Sequence, residues 1–204
     1  LGMLATDIRL RARETFAVHR RIVDFLHPRS PTGIPVGSLG LDRATALLMR
    51  WAMRDWQRMH RLNRIAGTWG AALQMDLRPA LASAAFFVIR PSQLPSRDVD
   101  AHRLLGFGER LQRFWLTATA MGLGVQPALA TVIFADHGVR GTRFTDEPKL
   151  ALRAGELAAR FDQALGDATH VLFMGRIGAM APRLPGPRSV RRLLEELILK
   201  PGDR

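Results

Sequence analysis

Eight residues near the C-terminus, Val171-Leu172-Phe173-Met174-Gly175-Arg176-Ile177-Gly178, constrain the fold more than any other stretch. They read as a buried strand that runs straight into a proline- and glycine-rich loop, Ala181-Pro182-Arg183-Leu184-Pro185-Gly186-Pro187. Arg188-Ser189-Val190-Arg191-Arg192 follows, and then a short helix over residues 193–198. Proline and glycine fix the path of a loop, so several arginines can converge where it ends. A guanidinium is the side chain best suited to bidentate phosphate recognition. The segment therefore points to a ligand chemistry as well as to a fold.

At 204 residues the chain suits a single domain with a sizeable core. Residues 1–40 read as an N-terminal helix and ordered loop arm, and residues 41–204 as the core with its C-terminal tail. The 47% hydrophobic fraction is that of an ordinary globular protein. No stretch approaches the ~18 uninterrupted apolar residues of a membrane span. The N-terminus, with Asp7, Arg9, Arg11, Arg13 and Glu14, lacks the apolar centre of a signal peptide. A cytoplasmic protein with no membrane partner is the expectation. The chain starts at Leu1, as a fragment or half of a longer protein does.

There is no cysteine, which excludes disulfides, thiolate metal sites and a cysteine nucleophile, and there is no tyrosine. The net charge is +12, and Lys149 and Lys200 are the only lysines. The arginines are spread along helical stretches (Arg9, Arg11, Arg13; Arg50, Arg54, Arg58, Arg61, Arg64) and interleaved with acids. Solvated helix faces account for that pattern better than a nucleic-acid surface, so nucleic acid is not an expected partner.

Along the chain, residues 5–26 read as one helix, with Ile8, Leu10, Phe16, Val18, Ile22, Val23 and Phe25 as its apolar positions. Residues 28–40, rich in proline and glycine, read as an ordered loop. Asp42 is an N-cap for a long helix to about Arg64, after which Gly67 and Gly70 break the pattern. Residues 82–89 form a short buried strand. Asp98 or Asp100 caps a helix to about Met121 that buries Leu104, Leu105, Phe107, Leu111, Phe114, Trp115 and Ala118. Gly122-Leu123-Gly124 stops it, and Val125-Gln126-Pro127 opens an extended segment through Phe134. Residues 135–145 read as a polar loop and residues 147–165 as an amphipathic helix. Helices with a few mostly buried strands make a layered domain mixing α and β.

No metal-ligand spacing joins the six histidines, and no nucleophile elbow, Walker loop or dinucleotide fingerprint is present. His137, beside Asp136, is the one general-acid candidate. Gly106 and Gly108 read as sites of close helix packing.

Two segments in order carry a resemblance. The helix and turn Gly108-Glu109-Arg110-Leu111-Gln112-Arg113-Phe114-Trp115-Leu116-Thr117-Ala118-Thr119-Ala120-Met121-Gly122-Leu123-Gly124-Val125-Gln126-Pro127 come first. Phe173-Met174-Gly175-Arg176-Ile177-Gly178, and then Arg191-Arg192-Leu193-Leu194-Glu195-Glu196, come second. Over about residues 82–198 this resembles the FMN-dependent nitroreductase family, and most of all its divergent actinobacterial members, some of them fused to a ThiF-like domain. Residues 13–25 and Ser30-Pro31-Thr32-Gly33-Ile34-Pro35 look like the same subgroup.

The resemblance implies an α+β fold with helices around a small, mostly antiparallel sheet and a long central dimer helix. It implies a homodimer, or pairing with a second nitroreductase-like half. It also implies FMN as cofactor and NAD(P)H as hydride donor to an unidentified acceptor. Carried over residue by residue, Arg188, Arg191 and Arg192 hold the FMN phosphate. Pro127 begins the turn against the isoalloxazine ring, and the backbone N–H near Leu129 donates to the flavin N5 edge. No side-chain acid is required, since the hydride chemistry belongs to the flavin. After Pro127 the chain has Leu129-Ala130 where the family commonly has a glutamate and glycine, and two further family features are missing: Arg20-Arg21 is followed by Ile22, Val23 and Asp24 instead of serine and a further basic residue, and the Asn-x-Gln-Pro-Trp segment has no counterpart. They favour an alternative, a flavin-free scaffold or dimerisation module.

Overall fold

The computed structural model describes residues 1–91, 101–166, 170–180 and 186–198. In chain order, α1 (Gly2–Arg11) and α2 (Arg13–Ile22) lead into the short strands β1 (Val23–Asp24), β2 (Arg29–Ser30) and β3 (Ile34–Pro35). A 3-10 turn (Val36–Leu39) precedes α3 (Arg43–Ala52) and α4 (Trp56–Ile65). Then α5 (Trp69–Ala72), a wider π-helical stretch (Leu73–Leu77) and α6 (Arg78–Leu81) run on from one another. They are followed by β4 (Ala85–Ile89), α7 (Ala101–Ala120), β5 (Leu123–Pro127), α8 (Leu129–Arg140) and α9 (Pro148–Leu165). Last come β6 (Phe173–Ala179), β7 (Arg188–Ser189) and a 3-10 turn (Leu194–Glu196). The fold is α+β with a small antiparallel sheet.

Contacts divide the chain into two compact units, residues 1–12 with 66–182 and residues 13–65 with 183–204. The expected boundary at residue 40 lies inside the second.

The first unit is built on the sheet β4-β6-β5, antiparallel throughout, with the strand of the Phe-Met-Gly-Arg-Ile-Gly run at its centre. Register explains the glycine in that run. Gly175 lies opposite both Phe87 and Pro127, and a Cβ there would stand 2.8 Å from the Phe87 ring. The ring instead meets Phe114 at 5.1 Å and Phe173 at 5.9 Å, which seats α7 against the sheet. The core is filled by Ile8, Val132, Phe134, Ala135, Leu157, Phe161, Val171 and Met174, with Ile8, Leu157 and Phe161 fully buried. Asp7, also buried, accepts from Arg11 at 2.7 Å and from the Thr68 hydroxyl, and pairs with Arg153, so its own charge is not left isolated.

The second unit packs Phe16, Ala52, Met53 and Met59 with Phe25, Met49, Trp56 and Leu62. Two parallel pairings stitch its loop: β1 with β3, and β2 with β7, the latter joining Arg29 to Arg188 and Ser30 to Ser189 in register.

Several expectations hold. Asp42 caps α3, accepting the Thr45 N–H at 2.9 Å. Gly122 stops α7 with φ of +73°. The helix expected over 147–165 is α9.

Others are overturned, each by a tertiary or capping effect. The helix expected over residues 5–26 breaks at Ala12, whose ψ is 129°. Ala5 and Ile8 belong to one core and Phe16 to the other, and separate cores outweigh alanine's helix propensity. The helix expected from Asp42 to Arg64 is two, because Asp55 accepts the Arg58 N–H at 2.9 Å and starts α4 afresh. Gly67 breaks the chain with φ of +67°, but Gly70 lies within α5. The strand expected to be buried at 82–89 is a sheet edge with Phe86 exposed. The extended segment expected through Phe134 and the polar loop expected at 135–145 are largely α8, which ends at Gly141 with φ of +64°. The helix expected at 193–198 is only a 3-10 turn.

The helix α7 exposes Leu104, Leu105 and Phe114, all expected to be buried, and of the expected set only Ala118 is fully so. A three-stranded sheet covers one side of a helix. Gly106 and Gly108 have open space where a Cβ would stand, so neither marks close packing. The expected caps Asp98 and Asp100, and Arg183 of the proline-rich loop, lie outside the described residues.

Candidate functional site: an arginine-lined cleft

The second unit holds a cleft of about 460 Å³ between the end of α2, the loop from β1 to β3, and the end of α3. Arg20, Arg21, Arg50 and Arg54 line it, facing a single carboxylate, Asp24. Helix geometry sets the two pairs. Arg50 lies in the last turn of α3 and Arg54 in the turn just beyond it, while Arg20 and Arg21 occupy the last turn of α2.

Several arginines elsewhere are matched by carboxylates. Arg58 pairs with Asp55 at 2.8 Å, Arg140 with Asp136 at 2.6 Å and Arg160 with Glu156 at 2.6 Å. Among the described residues no ion pair engages Arg20, Arg21, Arg50 or Arg54. Four unmatched guanidiniums around one concavity raise the local potential and favour an anion.

Asp24 is fixed from within its own turn. Its Oδ1 accepts the backbone N–H of Leu26 at 2.9 Å and of His27 at 3.0 Å, and its Oδ2 lies 3.1 Å from His27 Nδ1. The His27 N–H, then the Leu26 N–H, hold its carboxyl well below the usual carboxylate range, against a smaller opposing effect of burial. Ser30 is buried and receives the Gly33 N–H at 3.0 Å.

The sequence-predicted residues fall in both units. Arg188 lies on β7 and Arg191 and Arg192 just beyond it, in the same unit as the cleft. Strand pairing carries the tail to the cleft's own loop: the Arg188 N–H donates to Pro28 O and the Val190 N–H to Ser30 O, both at 2.9 Å. Arg192 bonds Glu196 at 3.1 Å. Pro127 and Leu129 belong to the other unit, Pro127 ending β5 and Leu129 opening α8. Leu129 has the first helical position, where a backbone N–H finds no carbonyl within its helix.

His137 is not in a loop. It sits on α8 with Nδ1 buried, its ring stacked on Phe144 at 5.4 Å and edge-on to Phe134. That packing fixes the position of the ring. The sequence reading passed over Asp24, His27, Arg50 and Arg54 as site residues. The spacing of Asp24 to His27, which is that of a side chain capping its own turn, is the signal that finds the first two.

No family model, curated protein or solved structure matches this chain.

Proposed function

We propose that the protein is a nitroreductase-like, FMN-binding oxidoreductase domain, working as a homodimer or with a second nitroreductase-like half, with NAD(P)H as hydride donor. The observation that carries this reading is the β2–β7 pairing, which places the C-terminal arginine segment on the loop that lines the arginine cleft. Arginines from both ends of the chain thereby share one unit, as a phosphate-binding end requires. The residues present fit the group: Arg20, Arg21, Arg50 and Arg54 suit its phosphate, supported by Arg188 and Arg191. Bound flavin supplies the hydride chemistry; the chain's part is to bind, orient and exclude water.

The test is an absorbance titration of the purified protein with FMN and with riboflavin. Stoichiometric FMN uptake with much weaker riboflavin binding is expected. Protein that stays colourless with excess FMN, also when mixed with its partner half, overturns the reading.

A flavin-free dimerisation module is the second reading, favoured by the exposure of Leu104, Leu105 and Leu116 on α7. The same titration separates the two.

A further inference from the structure

The arginine cleft contains one group able to change its charge near neutrality. His27 lines it, with Nδ1 3.1 Å from Asp24 Oδ2. Asp24 is ionised throughout the neutral range, because two backbone N–H groups stabilise its charged form. An ionised carboxylate can only accept, so Nδ1 of the imidazole is the nitrogen that carries a proton. The neutral ring then presents a lone pair at Nε2, and the protonated ring presents an N–H there. An anion in the cleft can accept from Nε2 only when His27 is charged.

We propose that His27 is a proton-dependent selectivity residue of this cleft, admitting a phosphate monoester together with uptake of a proton. The charges facing it are Asp24 on β1, Arg20 and Arg21 from the end of α2, and Arg50 and Arg54 from the end of α3. A phosphate dianion bound among them favours the charged ring and draws a proton onto it, while Asp24 fixes which nitrogen responds. The flavin reading enters only in the choice of FMN as one ligand; the proton linkage rests on the Asp24–His27 geometry.

Calorimetric titration of the full chain with phenyl phosphate, and separately with FMN, in two buffers of different ionisation enthalpy counts the protons taken up. Between about pH 7 and 8.5 a phosphate monoester, with its second pKa of about 6, is already a dianion, so uptake there belongs to the protein. Uptake on binding is expected, with affinity falling as pH rises. His27→Gln is expected to lose the uptake and bind about fivefold more weakly at pH 7. His27→Lys is expected to keep the affinity and flatten the pH profile. His27 is exposed, so both variants should fold, which circular dichroism checks. Equal proton counts in the wild type and His27→Gln overturn the inference. Phenyl phosphate binding with uptake, but no FMN binding, supports the inference and removes the flavin reading. FMN binding without uptake does the reverse, and binding of neither ligand removes both.

Discussion

Ser189 donates its hydroxyl to the carbonyl oxygen of Gly33 at 2.8 Å, a bond between positions 156 residues apart. With the two backbone bonds to Pro28 and Ser30 it makes the tail part of the loop. Glycine is needed at the contact: a Cβ on Gly33 would stand 2.8 Å from Ile22 O. Nearby, a Cβ on Gly37 would stand 2.7 Å from the Pro187 ring. Loop and tail are fitted to each other at two points.

Val190→Pro therefore tests the tail. It deletes the N–H that donates to Ser30 O and disturbs the neighbouring bonds of β7, each worth about 1 kcal/mol net. Hydrogen exchange should show protection of the Arg188 amide falling roughly tenfold, with the Phe161 amide in the other unit unchanged. Unaltered protection at Arg188 would mean that β7 is not held by these bonds.

Glycines in α8 and α7 should respond in opposite directions. On Gly138 a Cβ would collide with the Ala154 carbonyl oxygen and stand 2.9 Å from the Gly155 nitrogen, so it is the point where α8 approaches the backbone of α9. Gly138→Ala should destabilise the protein by about 1–3 kcal/mol in urea denaturation. Gly106→Ala and Gly108→Ala, with open space at both positions, should stabilise it by about 0.5–1 kcal/mol each.

Where neighbouring residues decide the outcome, the sequence was legible: the Asp42 cap, the Gly122 stop, the α9 helix and the β6 strand. Where distant partners decide it, the sequence misled. Val132, Ile133 and Phe134 suggest extended structure, yet Val132, Phe134 and Ala135 join one core with Leu157 and Phe161. Ala12, an ideal helix residue, is a break because the helices on either side serve different cores. The β2–β7 pairing involves two residues from each strand, too few to leave a periodic signal. In the site, Arg188, Arg191 and Arg192 stood out by clustering. Arg50 and Arg54 looked like a solvated face, since helical spacing alone does not reveal that a loop folds opposite them.

Covering α7 is the next prediction. Leu105 and Leu116 are 66% and 62% exposed on one face of the helix, three turns apart. Under the nitroreductase-like reading a second copy or half lies over that face. Burying a leucine is worth about 1.5–3 kcal/mol, and a two-fold interface loses each contact twice. The double variant Leu105→Glu/Leu116→Glu should thus weaken self-association by more than about a hundredfold. Light scattering coupled to size exclusion measures it, and a wild type that stays monomeric at every concentration removes the homodimer.

Asp24 should leave its mark on acid stability. Its carboxyl is held below the usual range in the folded protein, chiefly by the His27 N–H and then the Leu26 N–H, whereas an unfolded aspartate titrates at about 3.9. A depressed folded value means that the ionised group stabilises the fold fully above the unfolded value. That contribution is lost as pH falls from there through the folded one. Asn at this position keeps an acceptor for the turn but has no charge to titrate. Urea denaturation from about pH 2.5 to 6, covering the upper part of that window, should show wild-type stability declining more steeply below about pH 4 than that of Asp24→Asn. Above about pH 5 the two profiles should run parallel. Coincident acid limbs would show that the turn does not stabilise the charge, and would take from His27 the fixed acceptor on which its proton linkage depends.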